Sequence, residues 1–108
     1  KILVKQVAQL TDGYQISQAL LLDENSQFLA KPELEIYADD VKCSHGSTSG
    51  EIDPDQLFYL RARGVSENEA QGLLVLAFLA QAVDEIDSEV LADEIRNRLE
   101  GWVNRHRR

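Results

Sequence analysis

Apolar residues in this chain change their period near residue 50. Before it they alternate or run in short blocks. In Glu33–Ala38, Leu34, Ile36 and Ala38 point one way and Glu33, Glu35 and Tyr37 the other, the period-two signature of a half-buried strand. Tyr14–Asp23 reads as a second strand after the turn signal Thr11-Asp12-Gly13, and a short one, Val41–His45, follows the turn at Asp39-Asp40. Pro32 at the entry to a strand is tolerated. Two layouts fit residues 1–50: a small antiparallel sheet, or the last coils of a repetitive parallel stack, which would need further coils to bury both faces.

After residue 50 the period becomes three and four. Asp53 is placed as N-cap, Pro54 at the first helical position and Gly64 just past the end of a first helix. Ser66 and Glu69 form a capping box for a second. Its apolar stripe is Ala70, Leu73, Leu74, Ala77 and Phe78, widened by Leu76, Leu79 and Val83, so much of its circumference calls for cover. Gly72 weakens this helix slightly and permits a close approach. Asp87 or Ser88 caps a third helix, whose apolar face is Leu91, Ile95, Leu99, Trp102 and Val103. Glu89 and Asp93 in its first turns, and Arg105, Arg107 and Arg108 at its end, complement the helix dipole. The expected class is therefore strands and then helices, divided as 1–50 and 51–108.

Bulk properties remove several functions. The net charge of −8 opposes binding to phosphate backbones. The charge is uneven, with six acids and no base from Asp84 to Glu94, then five arginines against one glutamate from Arg96 onward; solvated helix faces are the bland reading of both blocks and a charged partner surface the alternative. The longest apolar run, Leu73–Ala80, is far short of the roughly 18 residues of a membrane span. With no methionine anywhere, the chain is expected to be part of a longer protein. A single cysteine forms no internal disulfide and fits a reducing cytoplasm or plastid stroma. There is no Gly-rich phosphate loop, HExxH, CxxC or nucleophile elbow.

The chemistry-bearing pair is Cys43 and His45. On a strand they share a face with Val41, about 6.6 Å apart at a rise of roughly 3.3 Å per residue, within reach of one soft metal or iron–sulfur unit. The bland alternative is a buried thiol beside an incidental imidazole. A structural metal site needs about four ligands, and this chain supplies two good ones; His106 is a poor third and Asp39 and Asp40 are hard donors. A ligand role therefore requires donors from another chain. A Cys–His hydrolase is disfavoured, because same-face neighbours on a strand stand too far apart to share a hydrogen bond.

Residues Lys31–Ala70, with the run YADDVKCSHG, a Gly-rich turn and then QLFYLRARG, resemble the C-terminal part of the SufD branch of the SufB/SufD family of iron–sulfur cluster assembly proteins. SufB-type members lack this Cys-x-His-Gly pattern, which sets the SufD branch apart. The resemblance implies the terminal coils of a right-handed parallel β-helix followed by a C-terminal three-helix domain. It implies a non-catalytic scaffold subunit that pairs with a SufB-like subunit and docks a SufC-like ATPase, with a homodimer as a further partnership. It places a transient iron–sulfur cluster or iron at a subunit interface, with His45 and Cys43 as ligands. It assigns the ATPase contact to the helical region, where Phe58, Tyr59, Arg61 and Arg63 lie on the matched motif. The alternative reading is a purely structural adaptor or dimerisation module without a cluster ligand.

Overall fold

The computed structural model describes residues 1–106 and contains four strands and three helices. They fall into two units, Lys1–Gly50 and a second beginning at Glu51.

In the first unit, β1 (Ile2–Val4) pairs with β3 (Leu34–Ile36), and β2 (Asp12–Leu21) pairs with β4 (Lys42–Glu51). The β1–β3 ladder is parallel, with Ile2 opposite Leu34 and Val4 opposite Ile36, an offset of 32 positions. A parallel pair needs a long connection between its strands. Here each connection is itself a strand and a turn, so the chain makes two passes and the second lies along the first. The turn between β1 and β2 rests on the turn between β3 and β4. Leu10 N–H donates to Asp40 O at 2.6 Å, Lys42 N–H to Thr11 O at 2.9 Å, and Asp40 N–H to the Gln9 side-chain oxygen at 2.9 Å. These bonds join residue 10 to 40 and residue 11 to 42, the progression of two chains running the same way into β2 and β4.

Several local expectations shift. Thr11-Asp12-Gly13 is not the turn: Asp12 and Gly13 already belong to β2, and the reversal comes earlier, ending at Leu10 with φ of 65°. The Gly-rich turn expected after Val41–His45 is strand instead, since β4 continues through Gly46 and Gly50 to Glu51. Small residues have little intrinsic strand preference, and here the ladder offered by β2 overrides it. Val4 and Ala38 are the buried apolar side chains of this unit.

The second unit forms from strong local signals. Helix α1 (Pro54–Ala62) starts where the Asp53 carboxylate accepts the Asp55 N–H at 2.9 Å and Pro54 presets the first turn. It ends in a Schellman arrangement: Val65 N–H donates to Leu60 O, Gly64 N–H to Arg61 O, and Gly64 holds φ of 89°. Helix α2 (Glu67–Val83) follows after four residues. The Ser66 hydroxyl accepts the Glu69 N–H and donates to the Glu69 carboxylate. Of the two caps expected for α3 (Glu89–His106), Ser88 serves, accepting the Leu91 N–H at 3.3 Å. Arg105 and His106 occupy its last turn, while Arg107 and Arg108 lie outside the described residues.

Helix α2 packs against both α1 and α3. Ala70, Gly72 and Val83 of α2 and Ala92 and Val103 of α3 are buried. The α3 face is rotated from the expected one. Ala92, Ile95, Leu99 and Val103 turn inward, while Leu91 is 52% and Trp102 46% exposed. On α2, Leu73 and Ala77 are exposed and Leu74, Leu76, Phe78 and Leu79 are half-buried. The buried positions are thus three small residues and two valines, and the larger side chains of α2 are half-buried or exposed. No helix among the described residues is long and apolar enough to cross a membrane.

Candidate functional site

Cys43 lies one residue inside β4 and is half-buried; His45, two residues on, is exposed. Strand alternation puts them on one face with half-buried Val41, opposite Lys42 and Ser44. The position of a Cβ on Gly13 lies 3.8 Å from the Cys43 sulfur, so Gly13 of β2 is the direct neighbour of Cys43. The next inward residue of β2, Gln15, is then the neighbour of His45. On the opposite face the Tyr14 hydroxyl reaches over Gly46, where an added Cβ would meet it at 3.3 Å; a side chain at residue 46 would displace that ring.

Chemically this face offers one soft sulfur and one exposed imidazole. No group of three or more His, Cys, Asp or Glu that could hold a metal ion is found among the described residues. Two donors of this type bind iron or a cluster only when other donors complete the shell. The far edge of β4 carries no further strand among the described residues, and the side chains after His45 are small. Another backbone can therefore approach closely beside the pair.

One polar atom here escaped the reading of the sequence. Gln15 Oε1 is buried without a hydrogen-bond partner. A glutamine within an alternating strand carries no signal of its own; only the pairing of segments 30 positions apart sets it beside His45.

The residues expected to meet a partner lie on α1. Phe58 is 74% and Tyr59 55% exposed, whereas Leu57 and Leu60 on the other side of the helix are half-buried. The Arg63 guanidinium stacks over the Tyr59 ring, 3.5 Å from its centre, and its Nη1 donates to Tyr59 O at 3.5 Å. Arg61 forms an ion pair with Glu67 at 3.5 Å, tying the end of α1 to the start of α2. Both arginines thus brace the helix end as well as standing at the surface. Beside them is a shallow open depression of about 420 Å³ lined by Asp55, Gln56, Tyr59, Leu60 and Leu74.

Two charge groupings are structural. Lys1 Nζ contacts the Glu35 carboxylate at 2.7 Å and the Tyr37 hydroxyl donates to it, holding that carboxyl below the usual range and raising Tyr37. Arg96 bridges Asp84 and Asp93, each at 3.0 Å; the hydrogen bond to Asp84 is the largest of the effects that raise its pKa. This bridge ties the α2–α3 turn to the first turns of α3 and engages part of the acidic block within the chain.

The family model described as SUF system FeS cluster assembly, SufBD core domain, matches residues 1–78. The chain is 44% identical over 96 residues to the iron–sulfur cluster assembly protein SufD of Escherichia coli, covering 89% of this chain and 23% of that protein. It is 43% identical over 96 residues to an iron–sulfur cluster assembly SufBD family protein of Synechocystis, covering 89% and 21%. To the chloroplastic protein ABCI7 of Arabidopsis thaliana it is 36% identical over 100 residues, covering 93% and 21%. The chain thus spans about a quarter or less of the length of these relatives.

Proposed function

Since the chain belongs to the SufBD core-domain family of the SUF system, we propose that it is the C-terminal end of a non-catalytic scaffold subunit for iron–sulfur cluster assembly. Its strand unit is the last coils of a right-handed parallel β-helix. The parallel β1–β3 pairing at an offset of 32 positions, and the matching contact of Gly13 with Cys43 at 30, support successive coils stacked along one axis. Its helices form a C-terminal domain. Relatives named as bacterial SufD and as a chloroplastic protein favour cytoplasm or plastid stroma as its compartment.

The observation that carries the functional reading is the placement of Cys43 and His45 on one face of β4, with sulfur half-covered and imidazole in solvent. A SufB-like subunit alongside β4 supplies the missing donors, and iron or a nascent cluster is the cargo held between the chains. The exposed Phe58–Tyr59 side of α1, with Arg61 and Arg63 at its end, receives a SufC-like ATPase. Cys43→Ala and His45→Ala in the reconstituted complex test the ligand role, with cluster formation as the readout. Loss of the cluster with the complex intact is expected. Unimpaired cluster formation in both variants would replace this reading with that of a structural adaptor.

A further inference from the structure

Gln15 stands apart from every other polar side chain described. It sits within β2, its flanking residues Tyr14 and Ile16 are exposed, and its own Oε1 is buried with no donor. Leaving an amide oxygen without a donor away from water is unfavourable, so an unsatisfied one in a regular strand asks for an explanation. Nothing about β2 as a strand requires it, because the alternation would accept an apolar residue at the same inward position.

Its location supplies the explanation. With Gly13 against Cys43 and Lys42 N–H donating to Thr11 O, a parallel ladder that keeps this register brings Gln15 level with His45, on the same face and one strand away. Neighbouring strands lie about 4.8 Å apart, a gap that a carboxamide and an imidazole span readily. Gly13 contributes no side chain beside Cys43, so across from the pair Gln15 is the residue presenting a polar group. A neutral imidazole has one nitrogen that donates and one that accepts. When histidine binds a metal, its other nitrogen almost always donates to an outer acceptor, which sets the tautomer and the ring orientation.

We propose that Gln15 is the positioning residue for His45: its Oε1 accepts one ring N–H and leaves the other nitrogen's lone pair free for iron. This rests on the reading of His45 as an iron ligand. It accounts for a buried amide oxygen that no other group of the strand unit satisfies. An amide oxygen suits the role, since it orients the ring without adding a negative charge to a site meant to release its cargo.

The test uses the full-length protein assembled with its partner subunits and loaded anaerobically with ferrous iron and sulfide. Bound iron, apparent iron affinity and the nitrogen hyperfine coupling of the reduced complex are measured for the wild type, His45→Ala, Gln15→Met and Gln15→Glu. Gln15→Met keeps the volume and removes the acceptor. It should lower affinity on the order of 10–100-fold, the usual effect of losing such an outer partner, and disturb the imidazole coupling. Gln15→Glu should restore affinity while shifting the coupling, because a carboxylate accepts more strongly. If His45→Ala keeps wild-type iron and coupling, the ligand reading itself falls. If His45→Ala abolishes the coupling while Gln15→Met keeps wild-type affinity and coupling, only the role of Gln15 is overturned. A Gln15→Met protein that melts earlier yet binds iron normally overturns that role as well, its oxygen then serving the fold alone. Should Gln15→Met fail to assemble, Gln15→Glu decides alone: a shifted coupling supports the proposal and an unchanged one overturns it.

Discussion

Adding one methyl group at Gly64 and at Gly101 should move stability in opposite directions. Gly64 closes α1 with φ of 89°, and a Cβ built on it meets no atom within 4 Å. Any cost of Gly64→Ala is therefore conformational, the penalty of a left-handed L-residue, about 1–2 kcal/mol. For a unit of this size that is a fall of roughly 8–16 °C in Tm. Gly101 lies inside α3 with ordinary helical backbone, and its added Cβ would meet Arg105 Nη1 at 3.3 Å, the free end of a flexible side chain that can swing away. Gly101→Ala should then gain up to about 1 kcal/mol of helix propensity. Urea and thermal unfolding of the 108-residue chain, followed by far-UV circular dichroism, measure both effects on the helices. Gly64→Asn should fall between wild type and Gly64→Ala, because asparagine tolerates the left-handed region better. Equal shifts of the same sign at the two positions would refute the assignment of Gly64 as the residue that terminates α1 by its backbone conformation. The consequence reaches function, because the turn it makes fixes α1, with Phe58 and Tyr59, relative to the start of α2.

Three further outcomes follow from the same structure. Leu10 is 77% exposed at φ of 65°, so Leu10→Gly relieves strain at little loss of burial and should raise Tm by a few degrees, on the order of 1 kcal/mol; a lowered Tm would show that the extra unfolded-state entropy of glycine outweighs the strain. The Glu35 carboxyl is depressed first by its hydrogen bond from Lys1 and then by that from Tyr37, so its contribution is complete above the unfolded value of roughly 4.3 and fades as pH falls through the lower folded value. Acid titration should show Glu35→Gln less stable than wild type near neutrality and converging with it in acid, and parallel curves would contradict this linkage. Phe58→Glu, at a position 74% exposed, should leave the melting profile nearly unchanged and, on the proposed docking role of α1, weaken capture of a SufC-like ATPase at least tenfold; undiminished capture would refute that proposal.

The helical unit was largely legible because its punctuation is local. Asp53, Pro54, Gly64, Ser66 and Ser88 act on backbone groups within a few positions of themselves, so their types and spacing suffice to bound the helices. Which side of each helix faces inward was less legible. Leu91, Leu73 and Trp102 are as apolar as their neighbours, yet they stay exposed while Ala70, Gly72 and Ala92 are buried. Periodicity reports that a face exists, and packing selects its centre.

From the residues alone came the succession of strands and helices, the helix ends, and the isolation of one sulfur and one imidazole two positions apart. Each depends on interactions between near neighbours in the chain, whose geometry is known once their order is known. Tertiary structure alone decided that β4 runs on through glycines and serines to Glu51, that Gly13 faces Cys43, and that the Gln15 side-chain oxygen is buried without a partner. Those facts require segments about 30 positions apart to settle on one register; the backbone ladder is nearly the same in any register, so the choice falls to turn geometry and to which side chains are buried, neither of which near neighbours in the chain reveal.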